Sequence, residues 1–169
     1  MLILSLAEVE REVVHLRKEI APDDPIWQDA DRRLSEPIQL DLEARTVGDG
    51  VLVRGEMQAE VVAECRRCLA EVPVSIKDDF GLLYESLSPE DEVELGGEIY
   101  PLPERGDELD LAPAIREQFL LRVPDYVLCS ESCRGLCPRC GTDLNRMTCD
   151  CVTEEEPTSW DALKDIKFD

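Results

Sequence analysis

The sequence predicts an α+β fold: an antiparallel β-sheet or meander with flanking helices, extended by a C-terminal cysteine-rich zinc-binding module. Three observations predict it. Residues 38–82 alternate apolar and polar side chains with period two, the pattern of a sheet with one face buried and one wet. The segments on either side carry apolar residues at helical spacing. All eight cysteines sit in tight local clusters, the spacing that lets thiolates converge on one cation.

The first predicted element is a helix. Ser5-Leu6-Ala7-Glu8 has the form of a capping box, and Leu6, Val9, Val13, Leu16 and Ile20 follow at helical intervals. Pro22 and Pro25 end it, and residues 21–35 read as an irregular polar connection. From Pro37 the period becomes two. Ile38, Leu40, Leu42 and Ala44 alternate with Gln39, Asp41 and Glu43. Gly48-Asp49-Gly50 marks a turn. Val51, Val53, Met57, Ala59, Val61 and Ala63 then share one face, and the run leads straight into Cys65-Arg66-Arg67-Cys68. Val72, Val74, Ile76, Phe80 and Leu82 resume the alternation, so this C-x2-C pair is expected at the tip of a hairpin.

Residues 78–110 hold twelve acidic residues and one base, Arg105. With Pro89, Gly96, Gly97, Pro101 and Pro103, much of this stretch reads as a surface loop, with a short strand near Glu98 to Leu102. Asp110 is placed to cap a second helix with Leu111, Ala114, Ile115 and Phe119 on its inner stripe. Pro113 lies in its first turn and Pro124 stops it. Residues 1–124 thus read as the α+β domain, with the hairpin tip at 65–68. Residues 125–169 read as a zinc-ribbon-like segment ending in an amphipathic helix with Trp160, Leu163 and Ile166.

The bulk properties narrow the function. A net charge of −21 repels polyanions and favours basic partners. Glu8, Glu10, Arg11 and Glu12 end the short apolar start at once, so neither a signal peptide nor a membrane span is expected. That places the chain in a reducing cytoplasm, where clustered cysteines bind metal rather than pair as disulfides.

Cys129, Cys133, Cys137, Cys140, Cys149 and Cys151 form the second cluster. Cys137-Pro138-Arg139-Cys140-Gly141 has the form of a zinc knuckle: Gly141 can take the positive φ of the turn, and Cys149-Asp150-Cys151 returns after it. The expected grouping is Cys137, Cys140, Cys149 and Cys151 in one site, and Cys65, Cys68, Cys129 and Cys133 in the other. A grouping that draws Cys133 into the first site is the alternative. One or two zinc ions are expected, each held by four cysteines. Such turns also hold iron, although the knuckle form favours zinc. A redox C-x2-C pair needs a helix starting at its first cysteine, whereas Leu69 to Val74 reads as strand. The lone His15 has no catalytic partner at a recognisable spacing, and no phosphate-cradling or nucleophile motif is present. The chain is not expected to be an enzyme. Arg66, Arg67, Arg134 and Arg139 decorate the cysteine turns, where they offset thiolate charge or contact RNA.

Glu64-Cys65-Arg66-Arg67-Cys68-Leu69-Ala70-Glu71, Leu109-Asp110-Leu111, and the string Gly135-Leu136-Cys137-Pro138-Arg139-Cys140-Gly141, Leu144-Asn145, Cys149-Asp150-Cys151 resemble the YceD family of large ribosomal RNA subunit accumulation proteins. The resemblance runs from about residue 36 to the C-terminus. It implies a non-enzymatic, cytoplasmic ribosome biogenesis factor supporting accumulation or processing of 23S ribosomal RNA. Family genes often neighbour that of large-subunit ribosomal protein number 32, a small basic protein. The acidic surface is therefore expected to bind a basic large-subunit protein of that kind or an assembly intermediate. Direct binding of precursor RNA through the four arginines, and a redox-sensing zinc protein, are the alternatives. Some members of the family keep only the first C-x2-C pair, which implies that the later cluster is structural.

Overall fold

The computed structural model describes residues 2–28, 33–86, 99–103 and 106–151. Within them the chain is mostly β, with few helices. Its centre is a long hairpin. Strand β4 (Ile38–Val47) turns at Gly48-Asp49 into β5 (Gly50–Glu64), which turns through the first cysteine pair into β6 (Glu71–Glu85). Pairing is antiparallel and in the register that the alternation demands: Leu40 opposes Met57, and Val53 opposes Leu82. Those four side chains are all buried. Their polar neighbours Asp41, Glu56 and Asp79 line up across the solvent face, where Arg17 pairs with Asp41 at 2.8 Å and Lys77 with Glu56 at 3.2 Å.

Gly55 is needed on the core face. A Cβ there would lie 2.8 Å from Phe80 Cζ and collide with Leu42, so one of these two buried side chains would have to shift.

The predicted N-terminal helix is corrected. Ile3–Ser5 is a strand (β1), Leu6–Val9 is a single helical turn (α1), and Val14–Ile20 is an edge strand (β2) pairing antiparallel with β4. The Ser5 side chain makes no capping hydrogen bond. Leu16 and Ile20 fit a period of two with Val14 as well as a helical one with Val13, and a free edge of β4 was there to pair with. Burial against a sheet decides such cases over propensity. Lys18, opposite the buried Leu40, breaks the alternation that would have announced the strand.

The connection after β2 is more ordered than expected. Pro25–Trp27 forms a 3-10 turn in which Asp24 Oδ1 accepts from Ile26 N. Trp27 is buried, donates from Nε1 to the Ala21 carbonyl at 3.0 Å, and meets Phe119 edge to face at 4.9 Å. The two-residue β3 (Arg33–Leu34) takes over β5 at Val61–Val62, on the edge that β4 leaves after Gln58.

The expected short strand near residue 99 is present as β7 (Ile99–Pro101). It runs parallel to β6, so the sheet is mixed rather than wholly antiparallel. Strand β8 (Glu108–Asp110) pairs with β1 in a separate two-stranded ribbon. Helix α2 (Ala112–Arg122) follows. The N-cap residue is Leu111, without a side-chain cap, and Asp110, one residue earlier, accepts from Ala112 N through Oδ1 at 2.9 Å. Ala114, Ile115 and Phe119 are buried against the sheet. Arg122 lies 5.6 Å from the centroid of the Phe80 ring, and its guanidinium holds Asp78 and the Asp79 carbonyl. The expected terminal helix and most of the acidic loop lie outside the described residues.

Candidate metal centre

Beyond Val62 the central hairpin has lost both β4 and β3, and only β5 and β6 continue to the tip. There the chain makes a tight knuckle. Cys65 N donates to the Ala70 carbonyl at 2.8 Å, and Leu69 N donates to the Cys65 carbonyl at 2.9 Å. The second knuckle repeats the pattern: Cys137 N to the Thr142 carbonyl at 2.8 Å, and Gly141 N to the Cys137 carbonyl at 2.9 Å. Leu69 therefore stands to Cys65 as Gly141 stands to Cys137. Both take left-handed backbone, with φ of 59° and 72°. Sequence reasoning finds Gly141 but misses Leu69, because a leucine does not advertise positive φ. The signal lay in its position four residues after the first cysteine of a C-x2-C pair.

The segment after α2 lies along this tip. Arg66 N donates to the Val127 carbonyl at 2.9 Å, and Leu136 N donates to the Arg67 carbonyl at 2.9 Å. The Arg66 side chain reaches the Asp125 carbonyl at 2.7 Å, and that of Arg67 reaches the carbonyls of Cys133 at 2.9 Å and Glu131 at 3.3 Å. Two of the four arginines considered for RNA contact are thus committed to backbone. Arg134 and Arg139 are exposed. Gly135, at φ +75°, passes so close to the tip that a Cβ would lie 2.9 Å from the Arg67 carbonyl oxygen.

This docking brings the cysteines into the two groups of four expected from spacing. Cys65, Cys68, Cys129 and Cys133 form a bridging group that joins the hairpin tip to the C-terminal segment. Cys137, Cys140, Cys149 and Cys151 form a local group. Within each group all sulfurs lie within 4.8 Å of one another. Cys65 Sγ is 3.8 Å from Cys133 Sγ, and Cys68 Sγ is 3.6 Å from Cys129 Sγ. A disulfide would need about 2.05 Å. A tetrahedron with Zn–S bonds of about 2.3 Å has edges of about 3.8 Å, so the spacing and the all-sulfur donor set fit zinc. The bridging group is the drier one: Cys65 and Cys133 are buried, and Val72, Leu128 and Leu136 pack around it. In the local group Cys137 is buried and Cys140 exposed.

The thiols perturb one another strongly. Burial pushes Cys65 up, but backbone N–H groups of Cys129, Arg67 and Cys68 outweigh it and bring the thiol down to about 6. The Thr142 hydroxyl and backbone N–H bring Cys140 down to about 6. Their neighbours move the other way: the side chains of Cys133 and Cys68 push Cys129 up to about 12, and Cys140 pushes Cys151 up to about 12. Four sulfurs this close cannot all ionise without a cation between them, and a divalent ion removes that conflict. His15 stands on β2 opposite Glu43, exposed on the solvent face of the sheet. Among the described residues no helix is long and apolar enough to cross a membrane.

The family model described as large ribosomal RNA subunit accumulation protein YceD matches residues 53–167. An uncharacterized protein of Mycobacterium leprae is 32% identical over 112 residues, covering 64% of this chain and 49% of its own length. An uncharacterized protein of Mycobacterium tuberculosis H37Rv is 32% identical over 114 residues, covering 63% and 51%. The chloroplastic large ribosomal RNA subunit accumulation protein YCED homolog 1 of Arabidopsis thaliana is 23% identical over 156 residues, covering 78% and 49%. The chain spans about half the length of these curated relatives. No solved structure matches it at a significant level. The matched stretch begins in β5 and takes in both knuckles and all eight cysteines, so the chain belongs to the YceD family, that of the large ribosomal RNA subunit accumulation proteins.

Proposed function

We propose that the chain is a non-enzymatic factor of large-subunit ribosome biogenesis that acts in the cytoplasm and supports accumulation or processing of 23S ribosomal RNA. The family match over residues 53–167 carries this reading. Each four-thiol group holds one zinc ion, through Cys65, Cys68, Cys129 and Cys133, and through Cys137, Cys140, Cys149 and Cys151. The ion's part is structural: it offsets half of the thiolate charge and fixes the turns. The chain divides near residue 124 into the sheet domain and the segment that the bridging group fastens to it.

The partner is a basic large-subunit ribosomal protein, of which number 32 is the first candidate. Residues 78–110 carry twelve acids against one base. Asp78, Asp79, Asp107, Glu108 and Asp110 are exposed, on β6 and around β8. Such a surface holds a cationic protein and competes with its nonspecific attachment to RNA. Direct RNA contact is the weaker reading, because Arg66 and Arg67 are spent on backbone carbonyls. The test has two arms. Elemental mass spectrometry of the untagged chain, purified without chelators, should give two zinc per chain. Pull-down with the ribosomal protein should give a complex at micromolar concentration that weakens as salt rises; no complex would sink the partner assignment.

A further inference from the structure

Asn145 lies outside both thiol groups yet touches one of them from the loop of the other. It sits between Cys140 and Cys149, in the loop whose two ends the local group draws together. Its Nδ2 donates to Cys133 Sγ, a member of the bridging group, at 3.4 Å. The same Nδ2 is oriented by Asp143 Oδ1 at 2.8 Å, and Oδ1 of Asn145 accepts from Arg134 N at 2.7 Å, next to Cys133. The loop is laid down beside the bridging group by Leu144 N donating to the Gly135 carbonyl at 2.9 Å and by the Leu136–Asp143 bridge.

We infer that Asn145 couples the two centres: metal in the local group fixes its loop, and the loop presents an N–H donor that tightens metal binding by the bridging group. The inference rests on the reading that both groups hold metal. Four thiolates outweigh a divalent cation by two charges, and an N–H bond to a ligating sulfur relieves that excess. Outer donors of this kind are worth about 10- to 100-fold in metal affinity. Asn145 is a positioning residue, acting through Cys133. Coupling of this sort is reciprocal, so filling the bridging group should also slow metal loss from the local group.

The experiment uses the full zinc-loaded chain. A chelator titration followed by iodoacetamide alkylation and peptide mapping reports protection of each cysteine separately. In the unaltered chain both groups should be protected. In the Cys149→Ser/Cys151→Ser variant, Cys65, Cys68, Cys129 and Cys133 should lose protection at a chelator strength about 10- to 100-fold lower. Asn145→Leu should cause the same shift in that group, and in a Cys65→Ser/Cys68→Ser background, where no bridging metal is left to couple to, it should leave the local group within about threefold. Combining the three substitutions should add nothing, because both routes remove one interaction. Asn145→Asp keeps the acceptor for Arg134 N but loses the donor, so it should behave like Asn145→Leu. Bridging-group protection unchanged in Cys149→Ser/Cys151→Ser, or in Asn145→Asp, overturns the coupling. A local group weakened by Asn145→Leu in the Cys65→Ser/Cys68→Ser background would show general loop collapse and also overturn it. No metal-dependent protection in the unaltered chain would remove the metal reading itself, a result distinct from the others.

Discussion

Replacing Gly135 by alanine tests how the C-terminal segment is fastened to the hairpin. Two effects add at this residue. Its φ of +75° is left-handed, which costs an alanine about 1–2 kcal/mol. The new Cβ would also lie 2.9 Å from the Arg67 carbonyl oxygen, which accepts Leu136 N, while the Gly135 carbonyl accepts Leu144 N. Backing the segment away weakens one or both hydrogen bonds, at about 0.5–1.5 kcal/mol each. The expected destabilisation is therefore about 1.5–5 kcal/mol. Gly48 and Gly141 provide the controls. They have φ of 60° and 72° with nothing within 4 Å of an added Cβ, so alanine there costs the backbone term alone. Urea unfolding at one fixed zinc concentration gives the three differences, and thiol labelling of Cys65 and Cys133 in native conditions reports detachment directly. A Gly135→Ala cost within about 0.5 kcal/mol of both controls, with no faster labelling, would refute the close approach; that margin is the usual scatter of neutral substitutions.

Other predictions concern the sheet domain. Gly55→Ala forces a methyl between Leu42 and Phe80 and should cost about 1–3 kcal/mol in urea unfolding, partly recovered by adding Phe80→Leu. Arg122→Met keeps the stem over Phe80 but loses the bonds to Asp78 and the Asp79 carbonyl. Because Asp78 is largely exposed, a loss of only about 1 kcal/mol is expected, and its ion-pair part should shrink in high salt. Tyr84 is 3% exposed and its hydroxyl has no hydrogen-bond partner among the described residues. Burial, then the charges of Tyr100 and Asp110, raises its pKa above the ordinary value. The unfolded chain ionises it near pH 10 while the folded chain keeps the proton, so stability should fall as pH rises above about 10. Tyr84→Phe should be neutral or stabilising at pH 7 and should flatten that alkaline fall in the urea midpoint.

The central hairpin was legible because its alternation is long and one register alone buries every apolar residue. The cysteine groups were legible because C-x2-C spacing constrains a turn almost completely. The first twenty residues were not. Leu6, Val9, Val13, Leu16 and Ile20 fit a helix, and nothing local says that β4 will offer a free edge to Val14–Ile20. The parallel pairing of β7 was equally hidden, since three residues carry no directional signal. Trp27 lay in a stretch read as polar and irregular, and its burial follows from Phe119, which is 92 residues away in sequence. Asn145 stood in the quoted Leu-Asn string without a role, because its partner is a sulfur of the other group.

The bridging group also sets an order of events during synthesis. Cys68 and Cys129 are 61 residues apart. At roughly 5–20 residues per second, the first pair leaves the ribosome about 3–12 s before its partners. In that interval β4, β5 and β6 can pair, but the end of the hairpin is a bare two-stranded ribbon, which is marginal in water by itself. Two thiols at its tip offer half of a coordination sphere. The nascent chain thus passes through a stage with a finished sheet and an unfinished tip, open to metal carriers and oxidants alike, and closes only when Cys129 and Cys133 arrive.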